Sequence, residues 1–441
     1  MDATSTTSSL AALLPTRAPT SLWIELTSVC PFDCIFCSRR LRRGNGEHMP
    51  FDLYERLIDQ LDQPEIIRLN YSGESMHYPR LTDAIRIAKQ TGATVELVTA
   101  LSSASKEQIR GLVDAGLDRL TISLHALDAA LYQRIYRFSS APKLHSSLAL
   151  LQQHKLASAS AYPRMDLSFV ALAENLSELP RLAEFAAANG IASIVVHPVI
   201  RRDLIPLTFE AELDNGSELR PEFLSRVEHA AEAARQAAPT VAVQIARPPR
   251  HSPAVGHVGI ATCEQNPWET IHVLANGDAV VCEVQDHVSL GSLAVRSLHD
   301  VWSGSEYTRF RESYLENREA TCQDCDWYRF VPTSSKDPQW IRGWHPFDPG
   351  YNVHWSMAKA AIWIPTEAHE PRMGMSGVLP PASVADPLRV AISANGYPVG
   401  EIRNTSPESR AFQFSAYLPV TNRKVPGGVL FTFECSQTYS P

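Results

Sequence analysis

The sequence predicts an α/β protein built from a partial (β/α)6 barrel, a small cysteine-rich domain and a C-terminal all-β sandwich. Three observations carry that reading. From about residue 21 to 200, short apolar runs alternate with longer stretches of helical period, the pattern of βαβ units around a parallel sheet. Seven of the eight cysteines fall into two groups, three at positions 30 to 37 and four at positions 263 to 325, with none between the groups. Beyond about residue 346 alternating apolar segments are separated by turn residues, as in antiparallel sandwiches.

The elements follow in order. Residues 1–20, "MDATSTTSSLAALLPTRAPT", lack the basic start and long apolar core of a secretory signal and read as a disordered tail. The barrel is expected over 21–250. Its strand candidates are "LWIEL", "IIRLNYSG", "TVELVTA", "RLTISLH", "RMDLSFV" and "SIVVHPV". Amphipathic segments such as "DLYERLIDQL" and "LPRLAEFAAANG" lie between them, the second ending in a glycine suited to a helix C-terminus. A further helix, "PEFLSRVEHAAEAARQAA", precedes the Pro-rich boundary "ARPPRHSPAVGH". Residues 251–345 hold the second cysteine group and a hairpin turning at Asn276-Gly277-Asp278. Residues 346–441 form the sandwich.

Composition limits the function classes. A chain of 441 residues is long enough for two or three domains. A hydrophobic fraction of 44% with 20% charged residues is that of a globular protein. A net charge of −8 argues against general nucleic-acid binding. No apolar run approaches the roughly 20 residues of a membrane span. A reducing, cytoplasmic compartment is therefore expected, where clustered cysteines bind metal or do chemistry more often than they pair.

The first group reads Cys30-x3-Cys34-x2-Cys37, directly after the first strand. In a barrel of this kind functional residues sit at the C-terminal ends of the strands. Three thiolates leave one iron of a cubane cluster without a protein ligand; a zinc knuckle completed by a distant histidine is the plainer alternative. The motif in this setting resembles the signature of the radical S-adenosylmethionine (SAM) superfamily. That resemblance implies a [4Fe–4S] cluster on Cys30, Cys34 and Cys37, SAM on its open iron, and production of a 5′-deoxyadenosyl radical. It also implies that Phe36 is the family's aromatic before the last cysteine, and that Ser72, Gly73 and Glu74 match the segment holding the SAM ammonium. Ser123 and Arg137 match further SAM contacts, Arg137 as a partner for the carboxylate.

The second group, Cys263, Cys282, Cys322 and Cys325, resembles the twitch form of the SPASM auxiliary-cluster domain, because no cysteine follows closely after Cys325. The resemblance implies a second [4Fe–4S] cluster with all four irons ligated, suited to electron transfer; a structural zinc site uses the same four thiolates. In layout the chain resembles the aminocyclitol dehydrogenase of the butirosin pathway. The expected reaction is thus a two-electron oxidation of a hydroxyl-bearing, sugar-like small molecule, with a flavodoxin or ferredoxin as one-electron reductant. The basic run Arg39, Arg40, Arg42 and Arg43 suits a phosphate or nucleotide-sugar group. His197, Arg201 and Arg202, after the sixth strand, are the candidate bases. Epimerisation is an alternative, with Cys435 as hydrogen donor. A peptide-modifying maturase is another, set lower because the polar N-terminus is too short for a leader-binding domain. The non-enzymatic alternative is an iron–sulfur carrier or glycan-binding scaffold.

Overall fold

The computed structural model describes residues 18–138, 141–199, 211–213, 219–246, 259–263, 265, 267–283, 286–315, 318–323, 325, 329–332, 339–348, 353–365, 372–379, 388–394, 397–404, 411–417 and 428–436. The chain forms two compact units. One comprises Arg17–Arg247 with Glu269–Tyr307, the other Pro248–Trp268 with Thr308–Pro441 and the first residues of the chain.

In the first unit β1 (Ser21–Ile24), β2 (Ile66–Arg68), β3 (Thr94–Thr99), β4 (Arg119–Ser123), β5 (Arg164–Ala171), β6 (Ser193–Pro198) and β7 (Ala242–Ile245) lie side by side in chain order, all parallel. Helices connect them, as the alternation of periods predicts. The helix Phe51–Ile58 buries Leu53, Tyr54, Leu57 and Ile58 on one face. The helix Lys106–Asp114 opens with a capping box, in which Ser105 Oγ accepts the Gln108 N–H and the Gln108 side chain accepts the Ser105 N–H. β7 was not among the six expected strands. Its "AVQI" is too short a pattern to stand out beside a long helix and a Pro-rich stretch, and the open edge of β6 is what recruits it.

β8 (Gly259–Thr262) pairs with β12 (Arg329–Pro332) in the second unit. β9 (Thr270–Val273) instead joins the barrel sheet, parallel to β1, and β10 (Asp278–Val280) and β11 (Ser289–Ser292) extend it antiparallel. The hairpin expected at Asn276-Gly277-Asp278 is the β9–β10 turn, with Gly277 at φ +89°.

Strand burial alternates. In β6, Ile194 and Val196 are sealed while Ser193, Val195 and His197 are half-buried. Parallel strands are usually covered on both faces; here one face is sealed and the other half-buried. Charged residues line its lower part. Arg68 pairs with Glu96 at 2.9 Å, Arg119 reaches Glu96 at 3.6 Å and Asp166 at 2.7 Å, and Ser193 Oγ donates to Asp166 at 2.6 Å.

The C-terminal region is antiparallel, as expected. β13 (Gln339–Asp348), β14 (Val353–Pro365), β19 (Gly428–Cys435), β16 (Leu388–Ala394) and β17 (Tyr397–Asn404) form one sheet in that order; β15 (Arg372–Val378) and β18 (Ala411–Tyr417) form a second. Met375, Phe412 and Phe414 of the small sheet pack on a core of Ile362, Ile392, Phe431 and Phe433 from the large one. The sheets approach so closely that a Cβ at Gly400 would lie 2.5 Å from the Phe414 ring. No helix among the described residues is long and apolar enough to cross a membrane.

Candidate functional site

The three-cysteine loop follows β1 and is held by its backbone. The Asp33 and Ile35 N–H groups donate to the carbonyls of Tyr136 and Ile135, at 3.1 and 3.0 Å. Those carbonyls end the helix Ala129–Tyr136, so the loop satisfies acceptors that a helix C-terminus leaves open. Cys37 N–H donates to the Cys34 carbonyl, and Arg39, buried, donates to the Ser28 carbonyl at 2.7 Å. Phe36 meets His125 edge to face at 4.9 Å; His125 in turn stacks on Tyr136.

None of Cys30, Cys34 and Cys37 is in a disulfide. Burial pushes the Cys30 thiol up to about 12 and the Cys34 thiol well above its usual range, and each feels the charge of its neighbours. Cys30 and Cys34 are thus held protonated without metal and would release protons on binding iron. The three thiols share one loop whose backbone is satisfied elsewhere, and thiolates are the usual ligands of iron–sulfur clusters; among the described residues no three His, Cys, Asp or Glu side chains are drawn together tightly enough to hold a metal ion as they stand.

The segment after β2 lies against this loop. Glu74 N–H donates to the Val29 carbonyl at 2.9 Å. A Cβ at Gly73 would fall 2.2 Å from the Thr27 carbonyl oxygen and 2.8 Å from that of Val29, so only glycine fits. The Glu74 carboxylate is buried and accepts from Thr99 Oγ1, the Ala100 N–H at 2.9 Å and the Met76 N–H at 3.1 Å. Burial raises its pKa and these donors oppose the rise. A carboxylate has about four acceptor positions, which leaves room for one further donor. Ser72 donates to Glu25, buried where β1 ends. Glu25 also accepts the Ala275 N–H at 3.1 Å, and burial raises its pKa.

Other expected residues sit around the same rim. The Ser123 carbonyl accepts Tyr136 Oη at 2.8 Å. Arg137 adopts φ +51° at the helix end and pairs with Asp33 at 3.2 Å. Burial lowers the pKa of His125 to about 3, with His197 at the end of β6 adding to the shift; burial also lowers the pKa of His197, against the raising effect of the Glu283 charge. Arg201 and Arg202 lie outside the described residues. Cys282 follows β10, and its carbonyl accepts Tyr71 Oη at 3.0 Å. In the second unit Cys263 Sγ accepts the Gln265 N–H at 3.3 Å, and the Cys325 N–H donates to the Cys322 carbonyl at 3.2 Å. Cys435 pairs with Val390 on β16 and packs against the sandwich core.

The basic run is not an open anion site. Besides Arg39, Arg40 pairs with Asp33 at 3.2 Å, Arg42 with Asp286, and Arg43 with Asp286 at 2.8 Å. Each guanidinium already has its partner. Sequence reasoning missed Glu25, His125 and Asp286. Glu25 carries a signal, a polar residue directly after the β1 strand, and His125 a similar one two residues past the end of β4; Asp286 carries none.

Comparison with known proteins agrees with this geometry. The Radical SAM superfamily matches residues 24–186, and SPASM, an iron–sulfur cluster-binding domain, matches 263–326. The chain is 22% identical over 341 residues to a Pyrococcus furiosus tungsten-containing aldehyde ferredoxin oxidoreductase cofactor-modifying protein, covering 72% of this chain and 90% of that one. It is 30% identical over 124 residues to the PqqA peptide cyclase of Rhodopseudomonas palustris, covering 27% of this chain but only 33% of the cyclase. To that of Ruegeria pomeroyi it is 24% identical over 326 residues, 70% and 80% of the two chains. The crystal structure of Streptococcus suis SuiB bound to precursor peptide SuiA superposes with a TM-score of 0.52 at 14% identity, over 73% of this chain and 72% of that one, a likeness of fold. The chain thus carries a radical SAM domain over residues 24–186 and a SPASM-type iron–sulfur cluster-binding domain over residues 263–326.

Proposed function

We propose that this enzyme oxidises a peptide by two electrons, forming a new bond within it. The observation that carries the reading is the likeness to PqqA peptide cyclases, which for the Ruegeria pomeroyi protein extends over 70% of the chain. The commitment of Arg39, Arg42 and Arg43 to internal partners supports it, because a phosphorylated sugar would want a free cation. The peptide replaces the sugar-like substrate expected from the twitch-type layout; the two-electron oxidation is kept.

In this reading Cys30, Cys34 and Cys37 hold one [4Fe–4S] cluster with SAM, and Cys263, Cys282, Cys322 and Cys325 hold a second. When bound, these groups would supply hydrogen-atom abstraction and an electron sink, with a flavodoxin- or ferredoxin-type protein as the source of electrons. Glu74 offers its remaining acceptor position to the SAM ammonium, and Arg137 its guanidinium to the carboxylate. Phe36, Ser72, Gly73 and Ser123 shape the rim. His197, neutral through burial, accepts the proton that the substrate loses; Arg201 and Arg202 complete the candidate set. The substrate gives up one hydrogen atom, one proton and one electron.

The test compares peptides from cells making the protein with those from cells making Cys30→Ala. A peptide two mass units lighter, present only with the intact protein, is expected. The same mass loss in a hydroxylated small molecule, with no altered peptide, overturns the reading. A peptide of unchanged mass that gains one solvent deuterium and requires Cys435 makes the enzyme an epimerase instead.

A further inference from the structure

We propose that Asp286 is a positioning residue for the three-cysteine loop: with Arg42 and Arg43 it forms a latch joining the short helix that follows Cys37 to the loop that follows Cys282. The inference goes beyond the proposed function and does not depend on the substrate.

Asp286 is buried, and both its oxygens are taken. Arg42 Nη1 donates to Oδ1, and Arg43 Nη2 donates to Oδ2 at 2.8 Å. The helix carrying these arginines is only Arg39–Arg43, and no side chain caps its N-terminus. Five residues do not hold a helix by themselves. Two tethers hold it here. At one end Arg39 Nη1 grips the Ser28 carbonyl at 2.7 Å, and at the other Asp286 grips Arg42 and Arg43.

The tether at Asp286 spans more than 240 residues of chain, so no local element substitutes for it. Its neighbours reinforce it. Tyr71 Oη donates to the Cys282 carbonyl at 3.0 Å, and Arg43 Nε stands 3.9 Å from Glu25, which itself binds Ser72. The latch therefore links the three-cysteine loop, the segment after β2 and the Cys282 loop within one unit. Without the Asp286 charge, two largely buried guanidiniums face each other. Among the described residues the Nε atoms of Arg42 and Arg43 are buried with no hydrogen-bond partner, and Glu25, beyond hydrogen-bond reach of Arg43 at 3.9 Å, pairs with that arginine alone, so Arg42 loses its carboxylate partner outright. Local opening of the helix and of the loop ahead of it is the consequence.

The experiment uses the full chain without iron, alkylated by iodoacetamide and mapped by peptide mass. Asp286→Asn is expected to speed alkylation of Cys30 and Cys34 about tenfold, the factor that roughly 1.4 kcal/mol of easier local opening gives. Cys435, on β19 of the other unit, is expected to react at its wild-type rate, and Asp286→Glu to return Cys30 and Cys34 most of the way. Wild-type rates at Cys30 and Cys34 in Asp286→Asn overturn the proposal. If Asp286→Asn speeds all three thiols alike, the double variant Asp286→Asn, Arg42→Gln decides, because it breaks the latch while removing one unpaired cation. Selective acceleration at Cys30 and Cys34 there upholds the latch; its absence overturns it.

Discussion

Glu25 and Glu74 are carboxylates placed where water does not reach them. In both, burial raises the pKa more than the surrounding donors lower it. Unfolded, they titrate near the ordinary glutamate value of 4.5. Above that value the folded chain keeps protons that the unfolded chain has released, so stability falls as pH rises toward the folded values. Their contribution is full below 4.5 and is lost as pH climbs through the folded pKa. The melting temperature of the iron-free protein is therefore expected to fall less steeply from pH 4.5 upward in Glu25→Gln than in wild type; equal slopes would remove Glu25 from this account. Glu74→Gln places an amide N–H₂ among N–H and O–H donors and removes the charge offered to SAM. A hydrogen bond to a charged group contributes about 1.5–3 kcal/mol, so equilibrium dialysis should show SAM binding weakened roughly tenfold to hundredfold, with the first cluster retained. Unchanged affinity would leave Glu74 a structural carboxylate only.

Between β1 and the helix Ala129–Tyr136, the three-cysteine loop and the helix terminus complete each other. The residue at that junction is Arg137, a non-glycine at φ +51°, a conformation that costs an L-residue roughly 1–2 kcal/mol. Its ion pair with Asp33 is half-exposed and is worth about 0–1 kcal/mol. Arg137→Gly is thus expected to leave thermal stability unchanged or slightly raised while weakening SAM binding. A lowered melting temperature with unaltered SAM affinity would show that Arg137 serves the helix end alone. Gly73 makes the complementary case. Its would-be Cβ meets backbone oxygens at 2.2 and 2.8 Å, atoms that cannot rotate away. Gly73→Ala should cost about 1–3 kcal/mol through forced backbone shift, read by urea denaturation, and should lower iron retention at the adjacent cysteines.

Across the whole molecule the proposed function assigns seven of the eight cysteines to two ligand sets, one within a single loop and one drawn from positions 263 to 325. Replacing Cys30, Cys34 and Cys37 with Ala is expected to abolish SAM cleavage and remove half the iron, because the second set lies outside the loop that the first occupies. Iron analysis giving one cluster and stoichiometric zinc in the intact protein would take the electron sink out of the proposed reaction. The overall plan was legible in advance. Six of the barrel strands announce themselves because alternation of period and turn chemistry is local, and the sandwich does so through alternating segments such as "PLRVAISA". β7 did not, since four residues gain their strand character from the neighbour they pair with.

Sequence spacing determined the chemistry. Cys30, Cys34 and Cys37 fall within one loop whatever the rest of the fold does, so a ligand set confined to eight consecutive residues is readable from their order. The fate of the charges was decided only in three dimensions. Arg39, Arg40, Arg42 and Arg43 read as an open basic patch because their partners, the Ser28 carbonyl, Asp33 and Asp286, are assigned by folding. Glu25 looks like an ordinary surface glutamate, and Glu74 is marked only by resemblance, until β9, β3 and the cysteine loop close over them. Desolvation and ion pairing depend on distance through space, and the chain order of a (β/α) barrel brings strand ends together without bringing their residues together in sequence.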